Sequence, residues 1–270
     1  MSPNQAALDL CWAINSASLV SGPGVASTPS ISVEDLDQEH LDSFLRDQEP
    51  GYRVGHYFEQ LIHYWLRHVR ELDVVATGLQ LKDGKITVGE IDFLYRDESD
   101  TLVHCEASVK FFLCTPGASP SQFPGPNARD SFEAKSTKLF TKQLPASEGR
   151  IEGVGARHGL VKGMIFYRDG EPEVAAPERL AENHLRGTWL RAAETERLRS
   201  TDRSFAIAQK PHWLAPESKV EPVDAEVMVT RLREHFLGPA HPVMVSARDH
   251  DGSEADRMFV VPDHWPGTSS

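Results

Sequence analysis

The segment 77–113 narrows the possible folds more than any other part of the chain, because its apolar residues recur at every second position. The pair Asp83-Gly84 supplies a hairpin turn between 79–82 and 86–95, and a second turn leads into 102–113. Alternation of apolar and polar residues is typical of strands with one covered face. The segment therefore predicts an antiparallel meander of three strands.

Helical patterns lie on both sides of this meander. Apolar residues recur at three- and four-residue spacing over 54–71 and again over 131–144, and a mostly apolar strand is predicted at 160–167. A helix that crosses over into a buried strand is typical of a mixed sheet. We therefore expect an α/β fold with a mixed central sheet flanked by helices.

The expected domain organisation has three segments. A first helix and a Gly/Pro/Ser-rich linker occupy 1–32, the core occupies 33–170, and an α+β extension, 171–270, is expected to pack on the core. Within the extension the pattern predicts helices near 177–185, 189–198 and 225–236, followed by a hairpin of 242–247 and 257–261.

Composition limits the classes of function. The formal net charge of −12 argues against broad, nonspecific adhesion to nucleic acid, although one local basic stripe can still bind phosphates. No apolar run approaches the roughly 18–20 residues of a membrane span, and the chain start lacks the pattern of a secretory signal. The three cysteines form no Cys-x-x-Cys pair. We expect a cytoplasmic protein with reduced thiols and no membrane partner.

Acidic side chains fall on one face of two adjacent predicted strands. Alternation puts Asp92 and Glu90 on one face of 86–95, and Glu106 and Lys110 on one face of 102–113. Crowded carboxylates repel one another unless a hard divalent cation lies between them, so Mg²⁺ is expected, with Mn²⁺ as an alternative. The Lys110 ammonium would orient a metal-bound water or stabilise charge in the transition state.

The flanking helices add further candidates. Glu59 lies at the margin of the apolar face of the helix 54–71. Lys135, Lys138 and Lys142 follow i, i+3, i+7 spacing and form one stripe, a candidate phosphate contact, while Gln143 lies on another face.

Simpler interpretations exist for the same residues. Acidic residues on a half-exposed strand most often form its solvated face, and a lysine stripe is most often a solvated helix face. His104 shares the face of Glu106, but such a histidine is more often a packed strand residue than a metal ligand.

The order of these motifs resembles the PD-(D/E)XK nuclease superfamily. A helix with an acid, then GEID at 89–92, then EASVK at 106–110, then an amphipathic helix with Lys and Gln is similar to its arrangement. The resemblance implies a restriction-endonuclease-like core with Asp92 as central metal ligand and Glu106 as second ligand. It also implies that Glu59 binds the metal directly or through water, that Lys110 is the catalytic lysine, and that Gln143 is a substrate-side polar group.

The chain departs from the superfamily at the lysine, which usually lies two residues after the second acid. Ser108 stands there, and Lys110, on the same strand face, lies about 7 Å further along. The segments 210–216 and 258–266 also resemble a bacterial family, the domain-of-unknown-function family numbered 1853, which is grouped with the same superfamily, and this resemblance covers nearly the whole chain.

Two functions are therefore expected as alternatives. The first is a metal-dependent phosphodiester hydrolase that cleaves DNA or RNA. The second is a catalytically inactive nuclease-like fold that binds nucleic acid or protein, which the displaced lysine and the net charge of −12 would both permit. The oligomeric state stays open.

Overall fold

A computed structural model describes residues 4–48, 52–118, 121–171, 174–217, 220–238 and 240–267. The strands in these ranges are β1 (Asp73–Asp83), β2 (Ile86–Arg96), β3 (Leu102–Leu113), β4 (Val154–Tyr167), β5 (Leu185–Arg191), β6 (Ser204–Ile207), β7 (Val243–Arg248) and β8 (Glu254–Val261). Hydrogen bonding joins them in the order β1-β2-β3-β4-β5-β8-β7-β6.

The helices of the described residues are α1 (Gln5–Asn15), α2 (Gln38–Asp47), α3 (Val54–Tyr64), α4 (Phe132–Lys138) and α5 (Ala225–Phe236). Two of them continue into a π-helical turn, α3 at Trp65–Val69 and α4 at Leu139–Gln143. The expected α/β fold, with a mixed sheet and flanking helices, is confirmed. Within the described part of the chain, every helix is too short or too polar to cross a membrane.

The chain divides into two compact units. The first comprises Met1–Lys110, Ala134–Gly163 and Glu178–His184, and the second comprises Phe111–Glu133, Met164–Pro177 and Leu185–Ser270. The domain segments 1–32, 33–170 and 171–270 remain a prediction.

The predicted meander forms most of the sheet in the first unit. β1 and β2 pair antiparallel along their whole length, and β2 pairs antiparallel with β3 from Phe93↔Cys105 to Arg96↔Leu102. The first turn consists of Gly84 and Lys85, one position later than the predicted Asp83-Gly84 pair. Gly84 has a φ of 59°, which favours glycine at the first position of a two-residue hairpin turn. The meander is therefore confirmed, with its turn shifted by one residue.

Helices α1 and α3 supply the helical side of the core in the first unit. Leu10 on α1 and Phe58 and Leu61 on α3 are fully buried, as the helical spacing over 54–71 predicts. α1 ends at Asn15, and the buried Lys162 donates hydrogen bonds to the carbonyls of Ile14 and Ser16 at that end. A cation at the carboxyl end of a helix complements the helix dipole.

The second unit contains the parallel part of the sheet. β5 pairs in parallel with β4 and with β8, whereas β6, β7 and β8 are antiparallel. The helix predicted at 225–236 is confirmed as α5, whose Met228 and Leu232 are fully buried in a core with strands β6 to β8. The helix predicted near 177–185 is wrong, because turns and a bridge of Leu180 with Val20 occupy the residues before β5. The helix predicted near 189–198 is confirmed in part, because a 3₁₀ helix, Ala192–Ser200, follows strand β5, which ends at Arg191.

Candidate functional site

Strands β2 and β3 stop pairing next to two of the predicted acids. Their register ends at Phe93↔Cys105, and one further step would set Asp92 opposite Glu106. The backbone N–H of Ala107 donates to Asp92 Oδ2 at 2.8 Å. The meander thus brings Asp92 and Glu106 together, as alternation along the two strands predicts.

The Glu106 carboxylate is buried and has a hydrogen-bond donor at each oxygen. His104 Nε2 lies 2.8 Å from Glu106 Oε1, and Gln143 Nε2 donates to Glu106 Oε2 at 2.5 Å. The relative exposure of Glu106 is 2%. Gln143 reaches it from the π-helical turn after α4, and such turns are frequent at functional sites. Gln143 therefore contacts the second predicted acid directly.

His104 connects Glu106 to two residues that sequence reasoning missed, Ser147 and Arg157. The fully buried His104 ring has Nδ1 3.0 Å from Ser147 Oγ, and Arg157 Nε donates to the same oxygen at 3.0 Å. An ionised carboxylate only accepts hydrogen bonds, so we assign the proton to His104 Nε2 and let Nδ1 accept from the Ser147 hydroxyl. His104 is thus a packed strand residue, as expected, that also orients Glu106.

Asp92 lies among other carboxylates. Burial and, after it, the Glu106 carboxylate are the main causes that raise the pKa of Asp92 to about 7, and Glu59 and Glu90 add smaller effects in the same direction. The hydrogen bond from the Ala107 N–H lowers the pKa of Asp92, but by less than burial and the neighbouring carboxylates raise it. Burial and like charges therefore dominate the electrostatics of Asp92.

Glu59 and Lys110 approach this cluster from its edge. Burial raises the pKa of the Glu59 carboxyl, the charges of His56 and Lys110 lower it, and those of Glu90 and Glu106 raise it again. His56 Nδ1 lies 3.9 Å from Glu59 Oε2. The structure thus brings Lys110 within electrostatic range of Glu59.

The distance from Glu106 to Lys110 along β3 is set by strand geometry. Four residues of extended chain span about 13 Å, so Lys110 lies at the far end of the acidic cluster rather than beside its centre. Lys138 and Lys142 of the predicted stripe are exposed and Lys135 is partly buried. A phosphate contact by these three lysines stays a prediction.

The donor set suits a hard divalent cation. Among the described residues, no three His, Cys, Asp or Glu side chains converge as a ready-made metal site. Mg²⁺, however, keeps several waters and needs only one or two carboxylates together with substrate phosphate. Asp92 and Glu106 supply two such carboxylates, and a cation between them would offset the repulsion by which the Glu106 carboxylate raises the pKa of Asp92. These two residues would hold the ion.

Comparisons with known proteins give one match. No curated protein and no solved structure matches the chain. The family described as Domain of unknown function (DUF1853) matches over residues 8–261, and because this match covers most of the chain, the protein belongs to that family.

Proposed function

We propose that the protein is a Mg²⁺- or Mn²⁺-dependent phosphodiesterase that cleaves DNA or RNA, built on a restriction-endonuclease-like core of the PD-(D/E)XK type. The observation that carries this proposal is geometric: Asp92 and the buried Glu106 meet where β2 and β3 stop pairing, and Asp92 Oδ2 accepts from the N–H of Ala107, the residue next to Glu106. Carboxylates held together against their mutual repulsion are typical of metal sites. The order of α3, the meander β1 to β3, and α4 also supports the superfamily assignment.

Each residue has a defined part in the proposed reaction. Asp92 and Glu106 hold the ion, while His104 and Gln143 fix the orientation of the Glu106 carboxylate. A bound divalent cation supplies polarisation of a phosphoryl oxygen and lowers the pKa of a coordinated water. The Lys110 ammonium, within electrostatic range of Glu59, offsets negative charge at the substrate phosphate.

A second function is favoured by a different observation. Both oxygens of Glu106 already have hydrogen-bond donors, and Ser108 stands where the superfamily usually has its lysine. These features suit a nuclease-like fold that binds nucleic acid or protein without cleaving it. In that case the acidic cluster is a remnant of a metal site.

The test is cleavage of labelled single- and double-stranded DNA and RNA in Mg²⁺, in Mn²⁺ and in EDTA. We expect the wild type to cleave at least one substrate with metal and none in EDTA. Asp92→Asn keeps the shape and the acceptor for the Ala107 N–H, and its rate should fall by roughly 10²-fold or more, as for loss of a group that stabilises transition-state charge. Lys110→Met should also lower the rate.

The matched control is Asp100→Asn. Asp100 is exposed, lies on the turn after β2 and has a φ of 60°, a conformation that asparagine tolerates. Its activity should equal that of the wild type. If no substrate is cut and calorimetry detects no Mg²⁺ or Mn²⁺ binding, the phosphodiesterase proposal is wrong. Binding of the same nucleic acids without cleavage would then support the second function.

A further inference from the structure

The hydrogen bonds behind Glu106 lead away from the candidate metal site and end at a permanent cation. His104 lies between Glu106 and Ser147, and Arg157 Nε donates to the Ser147 oxygen at 3.0 Å. β3 carries His104 and Glu106, the 3₁₀ turn Leu144–Ser147 carries the serine, and β4 carries the arginine. All four residues belong to the first unit, and His104 and Ser147 are fully buried. Bulk water therefore does not compete for the two ring nitrogens of His104.

Arg157 sets the direction of these hydrogen bonds independently of the carboxylate. A guanidinium stays protonated in proteins and only donates, so the Ser147 oxygen accepts from Arg157. The hydroxyl proton of Ser147 is then directed to its other neighbour, His104 Nδ1 at 3.0 Å. A neutral imidazole that accepts at Nδ1 carries its proton on Nε2, which faces Glu106 Oε1. The arginine and the carboxylate thus favour the same tautomer of His104.

This tautomer matters for a cation at Glu106. A carboxylate oxygen has two acceptor directions, and the N–H donors of His104 and Gln143 occupy one direction on each oxygen. The second direction on each oxygen stays available to a metal ion, while the carboxylate is held from both sides. The opposite tautomer would set the lone pair of His104 Nε2 against the Glu106 carboxylate and repel it. Removal of a hydrogen-bond partner behind a metal ligand typically weakens metal affinity by about 10- to 100-fold.

We propose that Ser147 and Arg157 are positioning residues of the metal site. They hold His104 as the Nε2–H tautomer, and through the imidazole they hold the Glu106 carboxylate in the orientation that binds a divalent cation. Their effect passes through His104 and needs no contact with the ion. The inference rests on the proposed function, since it assigns two further residues to the metal site of that function.

The first measurement is the tautomer of His104 in the full chain without metal at neutral pH, read from the ¹⁵N resonances of the imidazole. We expect a protonated Nε2 and an unprotonated Nδ1 in the wild type. Ser147→Ala removes the donor to Nδ1 and should shift the Nδ1 resonance. A protonated Nδ1 in the wild type would overturn the proposal, whether or not metal binds.

The second measurement is the dissociation constant of Mg²⁺ and of Mn²⁺ by calorimetric titration, at a temperature where every variant is folded. Ser147→Ala should weaken binding by about tenfold. Arg157→Met keeps an aliphatic stem and removes the donor, so it should also weaken binding. Loss of a positive charge near carboxylates would by itself strengthen the binding of a cation. Weaker binding by Arg157→Met therefore identifies positioning rather than charge as the cause.

The matched control is Ser246→Ala on β7 of the second unit. Ser246 is also buried, but its hydroxyl has no hydrogen-bond partner among the described residues. This variant should bind both ions as tightly as the wild type. Arg157 is partly exposed, so Arg157→Met keeps the proposal testable if the buried substitution at Ser147 prevents folding.

The outcomes separate this inference from the proposed function. If the wild type binds neither ion, the proposed function is wrong, and the role of Ser147 and Arg157 is wrong with it. If the wild type binds an ion and both variants bind it as tightly, the metal site stands and only the positioning role is wrong. Tighter binding by Arg157→Met would also overturn the positioning role, because charge would then decide the affinity.

Discussion

At the scale of single residues, the carboxylates around Asp92 oppose folding and favour a bound cation. The folded chain holds the Asp92 carboxyl beside Glu106, where its pKa lies at about 7 instead of near 4. Between those values the folded state binds more protons than the unfolded state, so stability falls as the pH rises from about 4 to 7. The same arrangement that would bind a metal therefore lowers the stability of the metal-free protein.

Asp92→Asn should reverse this loss. Asparagine stays neutral and can still accept from the Ala107 N–H, so in EDTA at pH 7.5 the variant should be more stable than the wild type by about 1 kcal/mol or more. Urea unfolding at pH 5 and pH 7.5 measures it, and the advantage should shrink at pH 5. An equal advantage at both pH values would mean that electrostatic repulsion is not the cause.

Some residue contacts of the site could be predicted from the sequence and others could not. Strand alternation is a local rule, and it correctly predicts that the side chains of Asp92 and Glu106 lie close together on one face of the sheet. The hydrogen bond from the Ser147 hydroxyl to His104 Nδ1 joins residues 43 positions apart, and no local spacing encodes it. Such pairs depend on how the helical segment after α4 meets β3.

At the scale of elements, the success of prediction follows the strength of the periodic pattern. The meander and α5 have regular alternation or helical spacing, and both are confirmed. The helix predicted near 189–198 is confirmed only from residue 192, as a 3₁₀ helix, because residues 189–191 end β5, a parallel strand with neighbours on both sides. Adjacent residues Trp189 and Leu190 are both buried there, so the strand loses its alternation and resembles a helix in sequence.

The π-helical turns are a second feature that the sequence does not signal. The pattern over 131–144 predicts one regular helix, whereas α4 ends at Lys138 and the π-helical turn Leu139–Gln143 follows. A wider turn rotates the residues after it relative to a regular helix, and Gln143 then contacts Glu106. Propensities of single residues do not distinguish the two geometries.

A close approach of β4 to β3 requires glycine at position 163 of β4. Its φ is 147°, and an added Cβ would lie 1.8 Å from the carbonyl oxygen of Lys110. Gly163→Ala should therefore lower the free energy of unfolding by about 3 kcal/mol or more, from backbone strain together with overpacking. Chemical unfolding measures the change, with the shift of the midpoint as the readout.

The matched control for Gly163 is Gly89→Ala on β2. An added Cβ at Gly89 would approach no atom closer than 3.8 Å, so this substitution should change stability by less than about 1 kcal/mol. If Gly163→Ala costs no more than Gly89→Ala, the close approach to Lys110 is not required for folding.

At the scale of the whole molecule, the formal net charge of −12 sets the conditions for any function with nucleic acid. A chain with this charge repels polyphosphate over a range set by the salt concentration, with a screening length of about 10 Å at 0.1 M. A divalent cation on Asp92 and Glu106 would reduce that repulsion at the place where a phosphate must approach. The proposed metal would therefore act in substrate binding as well as in the reaction.

Metal binding should also be visible in the stability of the whole chain. A ligand that binds only the folded state stabilises it by about 2.7 kcal/mol at 100 times its dissociation constant, which corresponds to several degrees in melting temperature. We expect Mg²⁺ or Mn²⁺ to raise the melting temperature of the wild type and of Asp100→Asn, and to leave Asp92→Asn and Glu106→Gln unchanged. Calorimetric scans at constant ionic strength measure these shifts. Each variant changes the net charge by only one unit, and only Asp92→Asn and Glu106→Gln lack a proposed ligand. A similar rise in melting temperature for all four proteins would therefore mean that the cations act by general screening of the net charge.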